Sequence, residues 1–260
     1  NGEIVIITEN GLESIKPFPK VKARPCIFEY IYFSRPDSII NNISVYEYRK
    51  RLGAELAKES RVEADLIIPV PDSGVPAAIG YSEEIKKNVE FGIIRNHYVG
   101  RTFIEPTQQI RSLGVKLKHS VNKPLIKDKS LILIDDSLVR GTTSVKIIKM
   151  LYEAGAKEVH LKIASPPIKY PDYYGINTPD KEELLASKLD LKGMQIFINA
   201  KTLQFLSIEG LYKSLGYKER NSSYPQFTDH CFTGEYPIKP IDVNDKNFEE
   251  DQLSFMSSKS

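Results

Sequence analysis

The stretch Leu131-Ile132-Leu133-Ile134-Asp135-Asp136-Ser137-Leu138-Val139-Arg140-Gly141-Thr142-Thr143-Ser144 limits what this chain can be more than any other. Its four apolar residues are too few for a helix and read as a strand covered on both faces. Two adjacent carboxylates follow at the strand's C-terminal end, where open parallel sheets bind ligands. Next comes a loop with one glycine, Gly141, and the hydroxyls of Ser137, Thr142, Thr143 and Ser144. It leads into a helix expected over Thr142–Ala154, whose free N–H groups and dipole favour an anion. A capped helix behind a buried strand explains the glycine and the hydroxyls. It does not explain the acid pair, which costs stability there unless something binds it. Acids on one side and an anion cradle on the other suit a sugar phosphate. The carboxylates would accept from ribose hydroxyls, directly or through Mg²⁺, and the loop would hold the phosphate.

The surrounding pattern alternates. Leu66–Val70 reads as a second buried strand, Pro76 to Lys87 as a helix, and Val159–Ala164 as a strand after the helix that Gly155 stops. Strands and helices at this spacing argue for an α/β fold with a parallel, doubly wound sheet. Between the strand and helix at 66–87, Pro69-Val70-Pro71-Asp72-Ser73-Gly74 has the make-up of a second anion loop. Upstream, Ile4–Thr8, Asn10-Gly11 and Leu12 to Phe18 read as a hairpin, the Asn-Gly pair supplying the turn. Ile27–Phe33 reads as a further strand. Ser44 and Glu47 have capping-box spacing and open a helix to about Lys58.

Charge narrows the partners. The 260 residues carry 36 Lys and Arg against 34 Asp and Glu, a net charge of +2, which is too balanced for nucleic-acid binding over the whole surface. No apolar run approaches the roughly 20 residues of a membrane span, and no signal-peptide pattern opens the chain. Two cysteines, Cys26 and Cys231, make no disulfide framework, so a cytoplasmic setting is expected. Within this balance residues 95–129 hold eight Lys and Arg and only two acids, Glu105 and Asp128. A basic loop of this kind suits a flap that closes over an anionic substrate. The acidic, apolar-poor stretch 241–260 reads as a disordered tail.

The acid-and-hydroxyl run resembles the signature of type I phosphoribosyltransferases, which bind phosphoribosyl pyrophosphate (PRPP). The blocks Cys26-Ile-Phe-Glu-Tyr-Ile-Tyr-Phe-Ser-Arg35-Pro-Asp-Ser, Pro69 to Gly74, Arg101-Thr-Phe-Ile-Glu-Pro-Thr, Ser165-Pro-Pro-Ile-Lys and Cys231-Phe-Thr-Gly-Glu-Tyr-Pro, in order along residues 1 to about 238, resemble the glutamine PRPP amidotransferases. The resemblance implies transfer of ammonia to C1 of PRPP, giving 5-phosphoribosylamine and pyrophosphate as the first step of purine biosynthesis. It implies Asp135 and Asp136 on the ribose and Mg²⁺, with Ser73 also on the metal. Ser137, Arg140, Gly141, Thr142, Thr143 and Ser144 would meet the phosphate, and Asp72, Ser73 and Gly74 the pyrophosphate. Arg101 would meet the pyrophosphate from the flap, while Tyr98, Phe103 and Ile104 would line the path of ammonia. It further implies a homotetramer and inhibition by purine nucleotides. Two other readings of the run are a salvage phosphoribosyltransferase and a non-catalytic PRPP sensor. No DNA-binding helix pair precedes residue 60, and the blocks around Arg101 and Ser165 speak against salvage.

The resemblance has two departures. The family's glutaminase half, with its N-terminal nucleophilic cysteine, is not in this sequence, so a separate domain or subunit is expected to supply ammonia. The expected division is a junction at 1–25, a transferase core at 26–200, a family-specific region at 201–240 and the tail. One branch of the family also binds a [4Fe–4S] cluster through four cysteines. Here Cys26 and Cys231 match two of them, while Thr228 and Asp172 stand at the others, so no cluster is expected.

Overall fold

Strands buried on both faces need helices above and below them, and the alternation along this chain supplies both. The computed structural model describes residues 2–96, 119–175 and 180–238. The chain opens with the antiparallel hairpin β1 (Ile4–Thr8) and β2 (Gly11–Ile15), as the Asn-Gly turn requires. A small pair, β3 (Ile39–Ile40) and β4 (Ile43–Ser44), leads into helix α1 (Val45–Glu59). There the Ser44 hydroxyl caps the helix by accepting from the Glu47 N–H at 3.3 Å. Then follow β5 (Leu66–Pro69), α2 (Val75–Ile85), and the antiparallel pair β6 (Ile93–Arg95) and β7 (His119–Val121). Beyond a one-turn helix α3 (Lys123–Ile126) come β8 (Ser130–Asp135), α4 (Thr142–Glu153) and β9 (Glu158–Ile163). Short helices α5 (Leu185–Lys188) and α6 (Leu191–Ile198) precede β10 (Thr202–Phe205), α7 (Ile208–Ser214) and α8 (His230–Thr233).

The main sheet runs β10-β9-β8-β5 and is parallel throughout. It therefore continues past residue 200, the end expected for the transferase core. On the far side of β5 the backbone at Val89 bridges Ile67 in parallel, so the chain steps outward from β5 before returning across it to β8. The order of connection thus reverses between β5 and β8. The alternating side chains of the sheet feed two cores. Ile67, Ile132 and Ile134 pack with Leu52, Leu56, Ala77 and Tyr81 of α1 and α2. Ile68, Leu131, Leu133 and Leu161 pack with Ile147, Ile148 and Leu151 of α4 and with Met194 and Ile198 of α6.

The strand expected at Ile27–Phe33 is not one. Residues Glu29–Phe33 form a π-helical turn, and only Cys26 pairs as extended backbone, with Thr228. Ile27, Phe28, Tyr30 and Ile31 are buried while Tyr32 and Phe33 are half exposed, a helical spacing that the β-branched and aromatic composition concealed. The C-terminal region is tied down by buried Asp229, which accepts from the Tyr212 hydroxyl at 2.7 Å and from Arg220 Nε at 2.6 Å. Among the described residues no helix is long and apolar enough to cross a membrane. The expected flap residues Tyr98, Arg101, Phe103 and Ile104, and the tail at 241–260, lie outside the described residues.

Candidate active site

In a doubly wound sheet the crevice for a ligand opens at the C-terminal ends of the strands between which the order reverses. Here those strands are β5 and β8, paired in register from Leu66 with Leu131 to Pro69 with Ile134. The Val70 N–H donates to the Ile134 carbonyl at 2.8 Å, and the Gly74 N–H closes the turn onto the Val70 carbonyl at 2.9 Å. A Cβ on Gly74 would lie 2.4 Å from the Ile134 carbonyl oxygen, so only glycine lets this loop sit on the end of β8. The loop at 69–74 and the acid pair are therefore neighbours in space, although some sixty residues apart in sequence.

Both acids are buried, at 8% exposure for Asp135 and 6% for Asp136. Asp135 Oδ1 accepts the Asp136 N–H at 2.9 Å, and Asp136 Oδ1 accepts the Ser137 hydroxyl at 2.6 Å. Asp136 Oδ2 is buried without a hydrogen-bond partner among the described residues. Burial, and then the neighbouring Asp136 charge, hold the Asp135 carboxyl well above the usual carboxylate range. Burial also raises Asp136, opposed by the Ser137 and Ser73 hydroxyls and by the Arg49 guanidinium. Arg49, itself 5% exposed, donates to the carbonyls of Tyr30 at 2.9 Å and Ser34 at 2.8 Å. A buried, orphaned carboxylate oxygen beside a hydroxyl is a hard-oxygen donor set, so Asp135, Asp136 and Ser73 fit a Mg²⁺ ion.

After the acids, Gly141 takes a φ of +74° at the N-terminus of α4. Thr142 and Thr143 are exposed, Ser144 is buried, and no acidic residue occupies the helix's first turn. The first N–H groups of α4 have no partner within the helix, which leaves positive potential facing the crevice end of β8. Arg140 pairs with Glu183 of the turn at Lys181–Glu183. On the other loop Asp72 is exposed and ion-paired with Arg95.

The structure thus brings Ser73, Gly74, Asp135, Asp136 and Ser137 together, with Gly141 to Ser144 following at the head of α4. It engages Asp72 with Arg95 and Arg140 with Glu183. Sequence reasoning missed Arg49, Glu183 and Leu185, and counted Arg95 only as part of the basic flap. Arg49 carried a signal: it sits beside Tyr48 and Leu52 on the buried stripe of α1, where a charge needs a reason.

The positions that match the family's iron–sulfur site, Cys26, Asp172, Thr228 and Cys231, lie near one another. Cys26 pairs through its backbone with Thr228, and the Cys231 thiol and the Asp172 carboxylate lie within electrostatic reach of Cys26. Burial pushes both thiols up, which keeps them protonated. Asp172 is committed to His230, with Oδ2 to Nε2 at 2.8 Å and both side chains buried. Two protonated thiols, a paired carboxylate and a threonine do not fit a cluster that takes four thiolates.

Residues 43–165 match the family model of the phosphoribosyl transferase domain. The chain is 54% identical over 264 residues to an amidophosphoribosyltransferase of Rhizobium etli, covering 99% of this chain and 53% of that protein. It is 50% identical over 238 residues to that of Bacillus subtilis, covering 92% of this chain and 50% of the relative. Among solved structures it resembles the B. subtilis glutamine PRPP amidotransferase complexed with ADP and GMP. The TM-score is 0.79 at 49% identity, over 92% of this chain and 52% of that one. It also resembles a structure described as the allosteric regulatory enzyme of purine biosynthesis, with a TM-score of 0.81 at 48% identity, over 94% of this chain and 52% of that one. The chain spans about half the length of the curated relatives it matches.

Proposed function

The chain belongs to the amidophosphoribosyltransferase family, as its phosphoribosyl transferase part, and we propose that it transfers ammonia to C1 of PRPP, releasing pyrophosphate and forming 5-phosphoribosylamine. The observation that carries this reading is the buried acid pair, with an Asp136 oxygen that has no partner among the described residues, set between two anion loops at the sheet's reversal point.

In this reading Asp135 and Asp136 accept from the ribose hydroxyls and fix the ring. The loop from Ser137 through Gly141 to Ser144 takes the 5-phosphate on its hydroxyls and the N–H groups of α4. Asp72, Ser73 and Gly74 take the pyrophosphate, joined by Arg101 from the flap, and Tyr98, Phe103 and Ile104 line the approach of ammonia. Mg²⁺, held by Asp135, Asp136 and Ser73, supplies positive charge against the departing pyrophosphate when bound. The bond from C1 to the pyrophosphate oxygen breaks as ammonia's nitrogen bonds to C1 from the opposite face. The protein contributes position and charge rather than a general base, and closure of the flap keeps water from competing for C1.

The ammonia comes from glutamine through a glutaminase domain or subunit, with residues 1–25 forming the junction to it. The transferase core extends through β10, followed by the family-specific region and the tail at 241–260. We further propose a cytoplasmic homotetramer inhibited by purine nucleotides; the ADP and GMP bound to the B. subtilis relative support the nucleotide part of this reading.

Incubation with PRPP, Mg²⁺ and an ammonium salt at mildly alkaline pH tests the assignment, with an ammonium-free control. Pyrophosphate release that depends on ammonium is the expected outcome. Release triggered only by a purine or pyrimidine base would make the chain a salvage transferase. PRPP binding without release under any acceptor would make it a sensor.

A further inference from the structure

Arg140 lies in the middle of the loop that the proposed function gives to the 5-phosphate, but its guanidinium is already engaged. Arg140 Nε donates to Glu183 Oε2 at 2.8 Å, and Nη2 donates to the same oxygen. On one side of Arg140, the Val139 carbonyl accepts the Leu185 N–H at 2.9 Å. On the other, Leu185 Cδ2 lies 2.8 Å from where a Cβ on Gly141 would stand. Three successive loop residues are therefore each gripped by the segment at 183–185.

That segment is not free to move with the loop. Leu184 is fully buried in the core beneath α1 and α2, and Leu185 is buried in the core beneath α4. The neighbouring side chains thus anchor the segment on both sides of the sheet. An anion that approached Arg140 would meet a cation whose charge Glu183 already offsets, and would stand beside the Glu183 carboxylate. A phosphate gains little there compared with the N–H groups at the head of α4, whose first turn carries no acidic residue.

We infer that Arg140 is a positioning residue rather than a phosphate ligand, and that Glu183 with Leu185 forms a clamp that sets the loop's backbone for the 5-phosphate. The inference rests on the proposed binding of PRPP. It accounts for an arginine in an anion loop whose guanidinium is committed to a carboxylate.

A mutant cycle read on PRPP tests it, using Arg140→Gln, Glu183→Gln, their combination, and the charge swap Arg140→Glu with Glu183→Arg. Each single variant is expected to raise the KM for PRPP about fivefold, the upper end for an exposed pair, with kcat within about twofold of the parent. The double variant should be no worse than either single one, and the swap should recover the parent KM to within about twofold. Melting temperatures should stay within about a degree, which separates a set loop from a weakened fold. Additive losses overturn the clamp, as does a swap no better than the worst single variant, because either would show that Arg140 meets the phosphate itself. If the parent binds PRPP but releases no pyrophosphate with ammonia, the transferase reading fails, while the cycle is still scored on PRPP dissociation constants by calorimetry. If the parent binds no PRPP at all, the clamp falls with the site it serves.

Discussion

Burial and the adjacent Asp136 charge both raise the Asp135 carboxyl, so the folded chain holds that proton more tightly than the unfolded chain does. The sign of the consequence follows by linkage. Below the unfolded value of about 3.9 both states are protonated and nothing is lost. As pH climbs through the raised folded value, the buried pair ionises and its cost to the fold appears in full. Asp135→Asn keeps an oxygen to accept the Asp136 N–H and removes the charge. Its expected effect at neutral pH is a gain of roughly 1–3 kcal/mol, the cost of a buried group left uncompensated, or a few degrees of melting temperature. That gain should vanish near pH 4 and shrink when PRPP and Mg²⁺ are present, since ligands relieve the same charge in the parent. Turnover in the same variant should drop by at least about 100-fold. Calorimetry across pH 4–8, alongside pyrophosphate release, measures both. A variant that is less stable at neutral pH, or that turns over normally, contradicts the role of the acid pair. The pair was legible from sequence because its chemistry is local, two carboxylates directly after a strand. Arg49 was legible only as a charge on the buried stripe of α1, because its reach to Asp136 depends on how α1 lies over the sheet.

At the scale of elements, the junction of β8 and α4 turns on Gly141. Its φ of +74° costs a residue with a Cβ about 1–2 kcal/mol, and that Cβ would press on Leu185 at 2.8 Å and on Phe197 at 3.3 Å. Gly141→Ala is therefore expected to shift the loop and weaken PRPP binding by at least about tenfold, while lowering the melting temperature by only a few degrees. Titration calorimetry paired with circular dichroism separates the two effects. Unchanged PRPP affinity would remove this loop from the phosphate site. The elements bearing this site were readable because β5, β8 and β9 are short apolar runs punctuated by helices of clear period, and their observed ends lie within two residues of expectation. The failure at 27–33 came from the opposite situation. A run of Ile, Phe and Tyr carries strand composition, and its helical burial at Ile27, Phe28, Tyr30 and Ile31 is decided by α1 and Phe227, which lie far along the chain. The clamp at 183–185 was illegible for a related reason. Nothing between Val139 and Leu185 in sequence announces that their backbones meet.

The hairpin of β1 and β2 stands apart from both cores of the molecule. All ten of its residues are exposed, among them Ile7 at 78% and Leu12 at 69%, and none belongs to either buried cluster. A two-stranded ribbon alone is marginal in water, and a run of exposed aliphatic side chains marks a surface meant to be covered. Relatives of about twice this length supply the natural candidate, the glutaminase part proposed above as the source of ammonia. If the hairpin belongs to that interface and not to the transferase fold, removing residues 2–16 leaves the melting temperature within about a degree. Ammonia-dependent pyrophosphate release should persist in the shortened chain, because the acid pair and both anion loops lie elsewhere. If the exposed Ile, Val and Leu side chains also drive self-association at high concentration, the same deletion should reduce it, as static light scattering would register. A fall in melting temperature of more than about 5 °C would instead make the hairpin part of the transferase fold. Unchanged light scattering would mean that the aliphatic face is not what the isolated chain uses to associate. The two readouts are independent because the first tests whether the hairpin's backbone is held by the sheet domain, and the second tests whether its side chains seek a partner.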